Sequence, residues 1–257
     1  MNLTPERLER FARHIVLPEI GGAGQAALAN AKVVLIGVGG IGSPALQYLA
    51  SAGIGSLVLI DDDTVDATNL QRQTIFREHE VGRGKADLAA AWVREFDAHL
   101  DVRWISDRIT SHNAGELIAG ADLVLDGCDN FATRLAVSDA CVAAGIPLLS
   151  AAVGRFQGQV GAFAGHLPDQ ACYRCYVGDA FDADDCDTCA EDGMLGAMAG
   201  WTATFAALQA IRVLLAPVGG LGDPQWGKLH LLDGLAPGMR TLNIAKDPAC
   251  RACGSGA

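Results

Sequence analysis

A glycine-rich segment early in the chain has the composition of a phosphate-binding loop. Gly37-Val38-Gly39-Gly40-Ile41-Gly42 fits the pattern G-x-G-x-x-G. In this pattern the glycines let the backbone turn tightly and approach a phosphate, and the following helix N-terminus attracts negative charge. Asp61 follows about 20 residues later, where a carboxylate can accept hydrogen bonds from a ribose. These features predict a nucleotide site and do not distinguish ATP from NAD.

The stretch after Asp61 is locally basic in an otherwise acidic chain. A pyrophosphate is usually held by backbone N–H groups, whereas a triphosphate also benefits from arginine and lysine side chains. The segment therefore favours a triphosphate, although its composition fits a solvated basic loop equally well. Four basic residues stand against two acidic ones: Arg72, Arg77, Arg83 and Lys85 against Glu78 and Glu80.

The polar run Asp126-Gly127-Cys128-Asp129-Asn130 follows another apolar segment. Carboxylates at the carboxyl end of a parallel strand face the crevice in which ligands of open α/β sheets bind. Mg²⁺ is usually held by one or two carboxylates together with substrate phosphates. Asp129 or Asp126 could supply such a ligand. The alternative is that the aspartate caps the next helix.

Six of the eight cysteines form three C-x-x-C pairs. Two such pairs supply the four thiolates of a structural zinc site, so one pair is left over. Spacing alone favours the two pairs that are nearest in sequence. Free buried cysteines are the alternative, and the regular spacing argues against it. The pairs are Cys172-Tyr-Arg-Cys175, Cys186-Asp-Thr-Cys189 and Cys250-Arg-Ala-Cys253. The six histidines show no ligand or catalytic-triad spacing.

Composition restricts the class of protein. The 257 residues have a formal net charge of -11, which argues against a nucleic-acid partner. ATP is not excluded, because charges more than about 8 Å apart are largely screened at physiological salt. No signal peptide is recognised, so we expect a cytoplasmic protein. Residues 193–211 contain no charged side chain, and we interpret them as a buried helix rather than a membrane span.

The elements that would position these residues begin with a βαβ unit. Apolar runs at residues 32–36 and 57–60 predict buried strands, and residues 41–52 predict a helix between them. Such a unit implies a parallel sheet. After residue 150, antiparallel strands are predicted at residues 157–163, 226–232 and 239–244, as an extension of the first sheet. A helix is also predicted from Pro5 to about residue 15.

Taken together, these residues resemble the MoeB/ThiF/HesA family, the bacterial relatives of ubiquitin-activating enzymes. No single motif is specific, but the ordered series runs nearly the whole chain. It begins with Arg10-Phe-Ala-Arg13-His-Ile and the glycine loop. It continues with Asn69-Leu70-Gln71-Arg72-Gln73, Val81-Gly82 with Lys85, Asp129-Asn130 with Arg134, Cys172-Tyr-Arg-Cys175, Cys189-Ala-Glu-Asp-Gly193 and Cys250-x-x-Cys253-Gly254.

The resemblance implies a fold and a domain organisation. The fold class is α/β, a Rossmann-like, mostly parallel sheet with helices on both faces, extended by antiparallel strands and a zinc-bound C-terminal part. Residues 1–257 would form one adenylation domain. Within it, residues 1–150 would be the nucleotide-binding half, and residues 151–257 the carrier-binding and zinc-bearing half.

The resemblance also implies roles for individual residues. The expected catalytic residues are Arg13, Arg72, Lys85, Asp129 and Cys189, with Arg13 reaching into the neighbouring subunit of a homodimer. ATP and Mg²⁺ would be bound by Gly37, Gly39, Gly40, Gly42, Asp61, Asp63, Asn69, Arg72, Gln73, Lys85, Asp129 and Asn130. Zn²⁺ would be held by Cys172, Cys175, Cys250 and Cys253, a set that replaces the nearest-pair interpretation.

The implied reaction is adenylylation of the C-terminal glycine carboxylate of a ubiquitin-like sulfur-carrier protein that ends in Gly-Gly. Molybdenum cofactor biosynthesis, thiamin biosynthesis or related sulfur transfer would use it. No fused sulfurtransferase domain is expected, so a separate sulfurtransferase or cysteine desulfurase is a further expected partner. Two alternatives remain at this stage, an NAD-dependent oxidoreductase and a non-catalytic zinc-bearing scaffold. The chain departs from the family at Asp62, where many relatives have an aromatic residue, and at Cys186 with the acidic run at residues 182–185.

Overall fold

The fold is built on one eight-stranded sheet, seen in a computed structural model that describes residues 4–179 and 193–254. The strand order is β3-β2-β1-β4-β5-β6-β7-β8. The first five strands in this order pair in parallel, and β6, β7 and β8 continue the sheet with antiparallel pairing. The strands are β1 (Lys32–Ile36), β2 (Ser56–Ile60), β3 (Asp101–Ile105), β4 (Leu123–Asp126), β5 (Leu148–Gly154), β6 (Gln157–Phe163), β7 (Lys228–Asp233) and β8 (Gly238–Asn243).

Helices cover both faces of the sheet, as predicted. Alternation along β1 shows why, because Val33 and Leu35 join one core cluster while Val34 and Ile36 join the other. The helices on the first face are α3 (Gly21–Asn30), α4 (Gly42–Ala52), α5 (Lys85–Phe96) and α9 (Gly196–Leu215). On the second face lie α6 (Ala114–Leu117), α7 (Phe131–Ala144) and α8 (Tyr173–Val177). Two short helices precede them, α1 (Pro5–Arg10) and α2 (Ala12–Ile15).

The strand order creates a crevice between β1 and β4. From β1 the chain crosses to β2 and β3 on one side, and from β4 it continues to β5 on the other. Such a reversal leaves the carboxyl ends of the two central strands open to a ligand. The glycine loop follows β1 and the run that begins at Asp126 follows β4, so the topology brings these two motifs to the same edge.

Helix α9 is the one described helix whose length and composition would allow it to cross a membrane. In this fold it packs against α4 and against β5 and β6. Ala199, Ala203 and Ala206 are fully buried within the first core cluster. This packing agrees with the predicted buried helix.

The structure differs from the sequence-based expectation at the N-terminus. The single helix predicted from Pro5 is divided at Phe11, whose φ of -100° and ψ of 13° interrupt the helix. The Phe11 side chain is buried, and it packs where Gly53 leaves no room for a Cβ atom. Packing of one aromatic ring therefore outweighs local helix propensity.

Candidate functional site

The glycine loop closes so tightly that only glycine fits at two of its positions. Gly37 has a φ of +77°, a conformation that side-chain-bearing residues rarely adopt. A Cβ atom on Gly42 would overlap the carbonyl oxygen of Gly37. The loop therefore brings its backbone to the start of α4, where N–H groups are available to an anion.

Asp61 connects the end of β2 to the glycine loop. One carboxylate oxygen accepts the N–H of Val38 at 2.6 Å and the other accepts the N–H of Asp63 at 2.9 Å. Burial raises the pKa of Asp61 above its ordinary value, because desolvation outweighs these two hydrogen bonds. The carboxylate thus lies beside the loop, at the place where a ribose would follow the phosphates.

A buried lysine lies next to this carboxylate. Lys85 is the first residue of α5 and is 5% exposed, and its Nζ lies 2.5 Å from Oδ2 of Asp63. Burial opposes ionisation of Asp63, but hydrogen bonding and charge attraction from Lys85 outweigh it and lower the pKa of Asp63. Lys85 therefore lies against a carboxylate that is itself largely exposed to solvent.

Two polar side chains from the segment at residues 69–73 lie against the glycine loop. A Cβ atom on Gly40 would lie 3.3 Å from Cδ of Arg72, and one on Gly39 would lie 3.5 Å from Nε2 of Gln73. Oδ1 of Asn69 and Oε1 of Gln73 are buried and have no hydrogen-bond partner among the described residues. Buried polar atoms normally have partners, so these two fit a site built for a polar ligand such as a nucleotide.

In the segment after β4, some polar side chains make hydrogen bonds within the fold, and one carboxylate is exposed to solvent. Asp126 is fully buried, and its two oxygens contact Nη1 of Arg134 at 3.3 Å and the N–H of Cys128 at 3.0 Å. The side chain of Asn130 caps α7 by accepting the N–H of Thr133 at 3.0 Å. Asp129 is exposed, so it is the carboxylate of this run that remains open to Mg²⁺.

Arg13 lies apart from these contacts on α2. It is exposed and makes no hydrogen bond or ion pair within the part of the chain that the structure describes. A groove of about 400 Å³ lies beside α2, between α4 and α9. Its lining is mostly apolar and includes His14, Tyr48, Trp201 and Leu208.

Four cysteine sulfurs from the C-terminal half of the chain form a cluster. The Sγ atoms of Cys172, Cys175, Cys250 and Cys253 all lie within 4.8 Å of one another. Three of the distances are 3.4, 3.6 and 3.8 Å, close to the separation of about 3.8 Å that four sulfurs 2.3 Å from one tetrahedral zinc would show.

The chemistry of the cluster also fits a cation. Burial raises the pKa of Cys172 well above its usual range and the pKa of Cys253 to about 11. A metal ion would stabilise the thiolates that burial alone disfavours. The structure thus joins Cys172 and Cys175 to the C-terminal pair, where spacing alone favoured the nearest pair. Cys186 and Cys189 lie outside the described residues.

Two charged contacts around the site had no signal in the sequence. Arg108, after β3, donates to Oδ2 of Asp62 at 3.0 Å at the edge of the crevice. Arg174 lies between the first two cysteines of the cluster, is buried, and makes a bidentate contact with Asp139 of α7 at 3.1 and 2.7 Å. The second contact connects the cysteine cluster to the helix that begins beside Asp129.

The glycine loop at a topological switch point, with Asp61 and Lys85 beside it, defines an α/β nucleotide-binding protein. A model of the ThiF family matches residues 11–252, so the chain belongs to the ThiF family.

Individual relatives align over almost the full chain. The SAMP-activating enzyme E1 of Haloferax volcanii is 38% identical over 256 residues, covering 100% of this chain and 92% of that protein. The sulfur carrier protein adenylyltransferase of Thermus thermophilus is 38% identical over 259 residues, covering 99% of this chain and 93% of that protein. A crystal structure of E. coli MccB with ATP superposes with a TM-score of 0.78 at 25% identity, covering 91% of this chain and 70% of that one.

Proposed function

We propose that this chain transfers AMP from ATP to the C-terminal carboxylate of a ubiquitin-like sulfur-carrier protein and releases pyrophosphate. The observation that carries the proposal is the near-complete alignment with a sulfur carrier protein adenylyltransferase and with a SAMP-activating enzyme. The chain is thus an adenylyltransferase by its relatives. The crevice at β1 and β4 supports this function, because the Gln73 side chain lies against the glycine loop and its buried Oε1 has no hydrogen-bond partner among the described residues.

The reaction joins two anions, and the site supplies positive charge where they meet. A carboxylate oxygen of the carrier attacks the α-phosphorus, and the bond to the bridging oxygen of the β-phosphate breaks. The nucleophile is already ionised, so no general base is needed. Arg72 and Lys85 bind and neutralise the phosphates, with Asn69 and Gln73 as further contacts. Asp61 orients the ribose, and Asp63 orients Lys85.

Asp129 and Asn130 mark the expected metal position. Asp129 would hold Mg²⁺, which when bound neutralises charge on the phosphates. Asn130 caps α7 and so fixes the backbone from which Asp129 projects.

A homodimer completes the site. Arg13 is exposed on α2 without a partner in the described part of its own chain, which suits a side chain that serves the neighbouring subunit. The apolar groove with Tyr48, Trp201 and Leu208 lies beside it and provides surface for a second copy.

The two halves of the chain have different roles within a single adenylation domain. Residues 1–150 bind the nucleotide, whereas residues 151–257 bind the carrier and hold Zn²⁺ through the four clustered cysteines. The zinc site is closed, with all four positions taken by protein, and is therefore structural. We place the reaction in the cytoplasm, since disulfides are rare there and the cysteine pairs suit a metal.

The carrier ends in Gly-Gly and serves molybdenum cofactor biosynthesis, thiamin biosynthesis or related sulfur transfer. Sulfur would come from a separate sulfurtransferase or cysteine desulfurase. Cys189 matches the cysteine that some family members link covalently to the carrier and that others do not need. Nothing in the crevice or in the comparisons favours the alternative of an NAD-dependent oxidoreductase.

The test is exchange of labelled pyrophosphate into ATP with each purified candidate carrier. We expect exchange that depends on a carrier with a free C-terminal glycine and that disappears when its C-terminal carboxylate is amidated. Exchange that is equally fast without any carrier, or with the amidated one, would contradict the proposal.

A further inference from the structure

The helix pair that presents Arg13 has little hydrophobic anchorage of its own. Neither α1 nor α2, both fully described, contains a buried residue. The pair is nevertheless fixed to the body of the protein by its side chains. The contacts include a buried carboxylate, an aromatic ring and a hydrogen-bonded histidine.

The buried carboxylate belongs to Asp97, directly after α5. Its side chain is 0% exposed and pairs with the guanidinium groups of Arg7 and Arg10 on α1, the latter at 3.9 Å. It also accepts the backbone N–H of His99 at 3.0 Å. A carboxylate removed from water needs such partners, so the two arginines and Asp97 depend on one another.

The other two anchors are uncharged. The ring of Phe11, between α1 and α2, packs against Gly53 at the end of α4. Nδ1 of His14 pairs with Oε1 of Gln25 at 3.0 Å, and Gln25 in turn donates to the carbonyl of Ala52 at 2.9 Å. These contacts hold α2 close to α4. The direction of α1 is set by the ion pairs with Asp97 and by Arg10, which also stacks on the ring of Phe96 at 4.9 Å and donates to its carbonyl at 3.3 Å.

We propose that Asp97 is a positioning residue for adenylylation, which fixes α1 through Arg7 and Arg10 and thereby directs Arg13 towards the partner subunit's nucleotide site. This inference rests on the proposed function, in which Arg13 acts across a homodimer. Arg13 makes no hydrogen bond or ion pair with residues 4–179 or 193–254 of its own chain, so its placement is set by the backbone of the helix pair. Only two residues, Phe11 and Ala12, lie between it and Arg10 in sequence.

The first measurement compares Asp97→Asn with a matched control. A small misplacement of a group at the reacting centre can cost about 100-fold in rate, so we expect kcat for carrier-dependent pyrophosphate exchange to fall at least about tenfold. Asp87→Asn is the control, because Asp87 lies in the first turn of α5 and its ion pair among the described residues is an exposed one, with Arg83 at 4.0 Å. It should keep the wild-type kcat.

The second measurement separates positioning from folding by using mixed dimers that are purified through two different affinity tags. An Arg72→Ala subunit has a defective nucleotide site but a normal Arg13. Paired with an Asp97→Asn subunit, it would supply Arg13 to the intact nucleotide site of that subunit. We expect about half of the wild-type kcat per dimer, because one of two symmetric sites is complete.

The mixture of Arg13→Ala with Arg72→Ala subunits tests separately whether Arg13 acts across the dimer, on which the inference rests. If that mixture regains activity but Asp97→Asn with Arg72→Ala does not, the inference is overturned while the proposed function stands. If neither mixture regains activity although the wild-type dimer is active, Arg13 does not act across the dimer and the inference fails, whereas adenylylation, measured on the wild type, stands. Wild-type kcat in the Asp97→Asn homodimer would also overturn the inference.

A second variant of the same contact is used if Asp97→Asn does not fold. Arg10→Gln removes one guanidinium from the same carboxylate, and its side chain is 38% exposed, so folding should tolerate the change. The expected result is the same loss of kcat and the same recovery in a mixed dimer. Unchanged kcat in this variant would contradict the role of Asp97.

Discussion

Arg72 and Lys85 illustrate how the site keeps positive charge beside the glycine loop in an acidic protein. Lys85 is buried and paired with Asp63, whose exposed side chain can yield to a phosphate without leaving a buried charge behind. Arg72 donates only to the carbonyl of Thr68 at 3.1 Å and lies against Gly40. Both cations are therefore positioned before the substrate arrives, and little reorganisation is needed when charge develops.

Replacing Arg72 with alanine should abolish pyrophosphate exchange and leave the fold intact. Loss of one preorganised charge-stabilising donor typically costs about 100- to 1,000-fold in kcat. Arg83→Ala is the matched control, because this exposed arginine of the same basic segment pairs only with Asp87. Exchange rates and circular dichroism of both variants check the prediction, and near-normal exchange in Arg72→Ala would remove Arg72 from the mechanism.

At the scale of elements, the sequence predicted what depends on local periodicity. The strands around the glycine loop and the antiparallel strand β6 were predicted correctly, because apolar runs and alternation extend over neighbouring residues. Helix α3 was missed, since Gly21, Gly22 and Gly24 disfavour a helix that tertiary packing then imposes. Cys172 and Cys175 are brought next to Cys250 and Cys253 by the topology of the whole fold, which the spacing of the cysteines in the sequence cannot reveal. The family resemblance supplied it.

The cysteine cluster predicts a metal-dependent element at the end of the chain. We expect the purified protein to contain Zn²⁺, and expect both Cys250→Ser and chelation to remove it and to lower the free energy of unfolding by several kcal/mol. Metal analysis and thermal unfolding with and without a chelator make the measurement. Cys141→Ala is the control, because Cys141 is buried in the core of the second face, outside the cluster.

Full zinc content and wild-type stability in Cys250→Ser would mean that the cluster is not the metal site. Loss of zinc in Cys141→Ala as well would mean that the metal responds to general destabilisation rather than to its ligands.

At the scale of the whole molecule, ion pairs with buried side chains join separate elements. Asp97 with Arg7 connects α1 to the end of α5, Asp126 with Arg134 connects β4 to α7, and Arg174 with Asp139 connects the cysteine cluster to α7. Such pairs could not be predicted from the sequence, because charge alone does not identify a partner. The pair of Asp97 with Arg7 also makes the stability of the molecule depend on pH.

Asp97→Asn should remove part of that pH dependence. Burial opposes ionisation of Asp97, but the Arg7 guanidinium and further hydrogen bonds outweigh it and lower the pKa of Asp97. The contribution is therefore fully present above the pKa of about 3.9 in the unfolded chain and is lost as pH falls through the lower folded value. At pH 7 the variant should lose about 1.5–3 kcal/mol, as expected for a hydrogen bond to a charged group.

Denaturant unfolding between neutral pH and about pH 3 makes the measurement, since that window includes the pKa of an ordinary aspartate. The difference between wild type and variant should shrink towards the acidic end. A difference that stays constant over the whole range would show that ionised Asp97 is not what stabilises the N-terminal helices.

The most direct test of the central claim follows the α-phosphate of ATP. The enzyme is incubated with a carrier protein and with ATP labelled either at the α- or at the γ-phosphorus, and the carrier is then isolated under acidic conditions. Transfer of AMP predicts that α-label appears on the carrier only when its C-terminal glycine is free, while γ-label leaves entirely as pyrophosphate. Label on the carrier from the γ-position, or formation of ADP instead of pyrophosphate, would contradict the account.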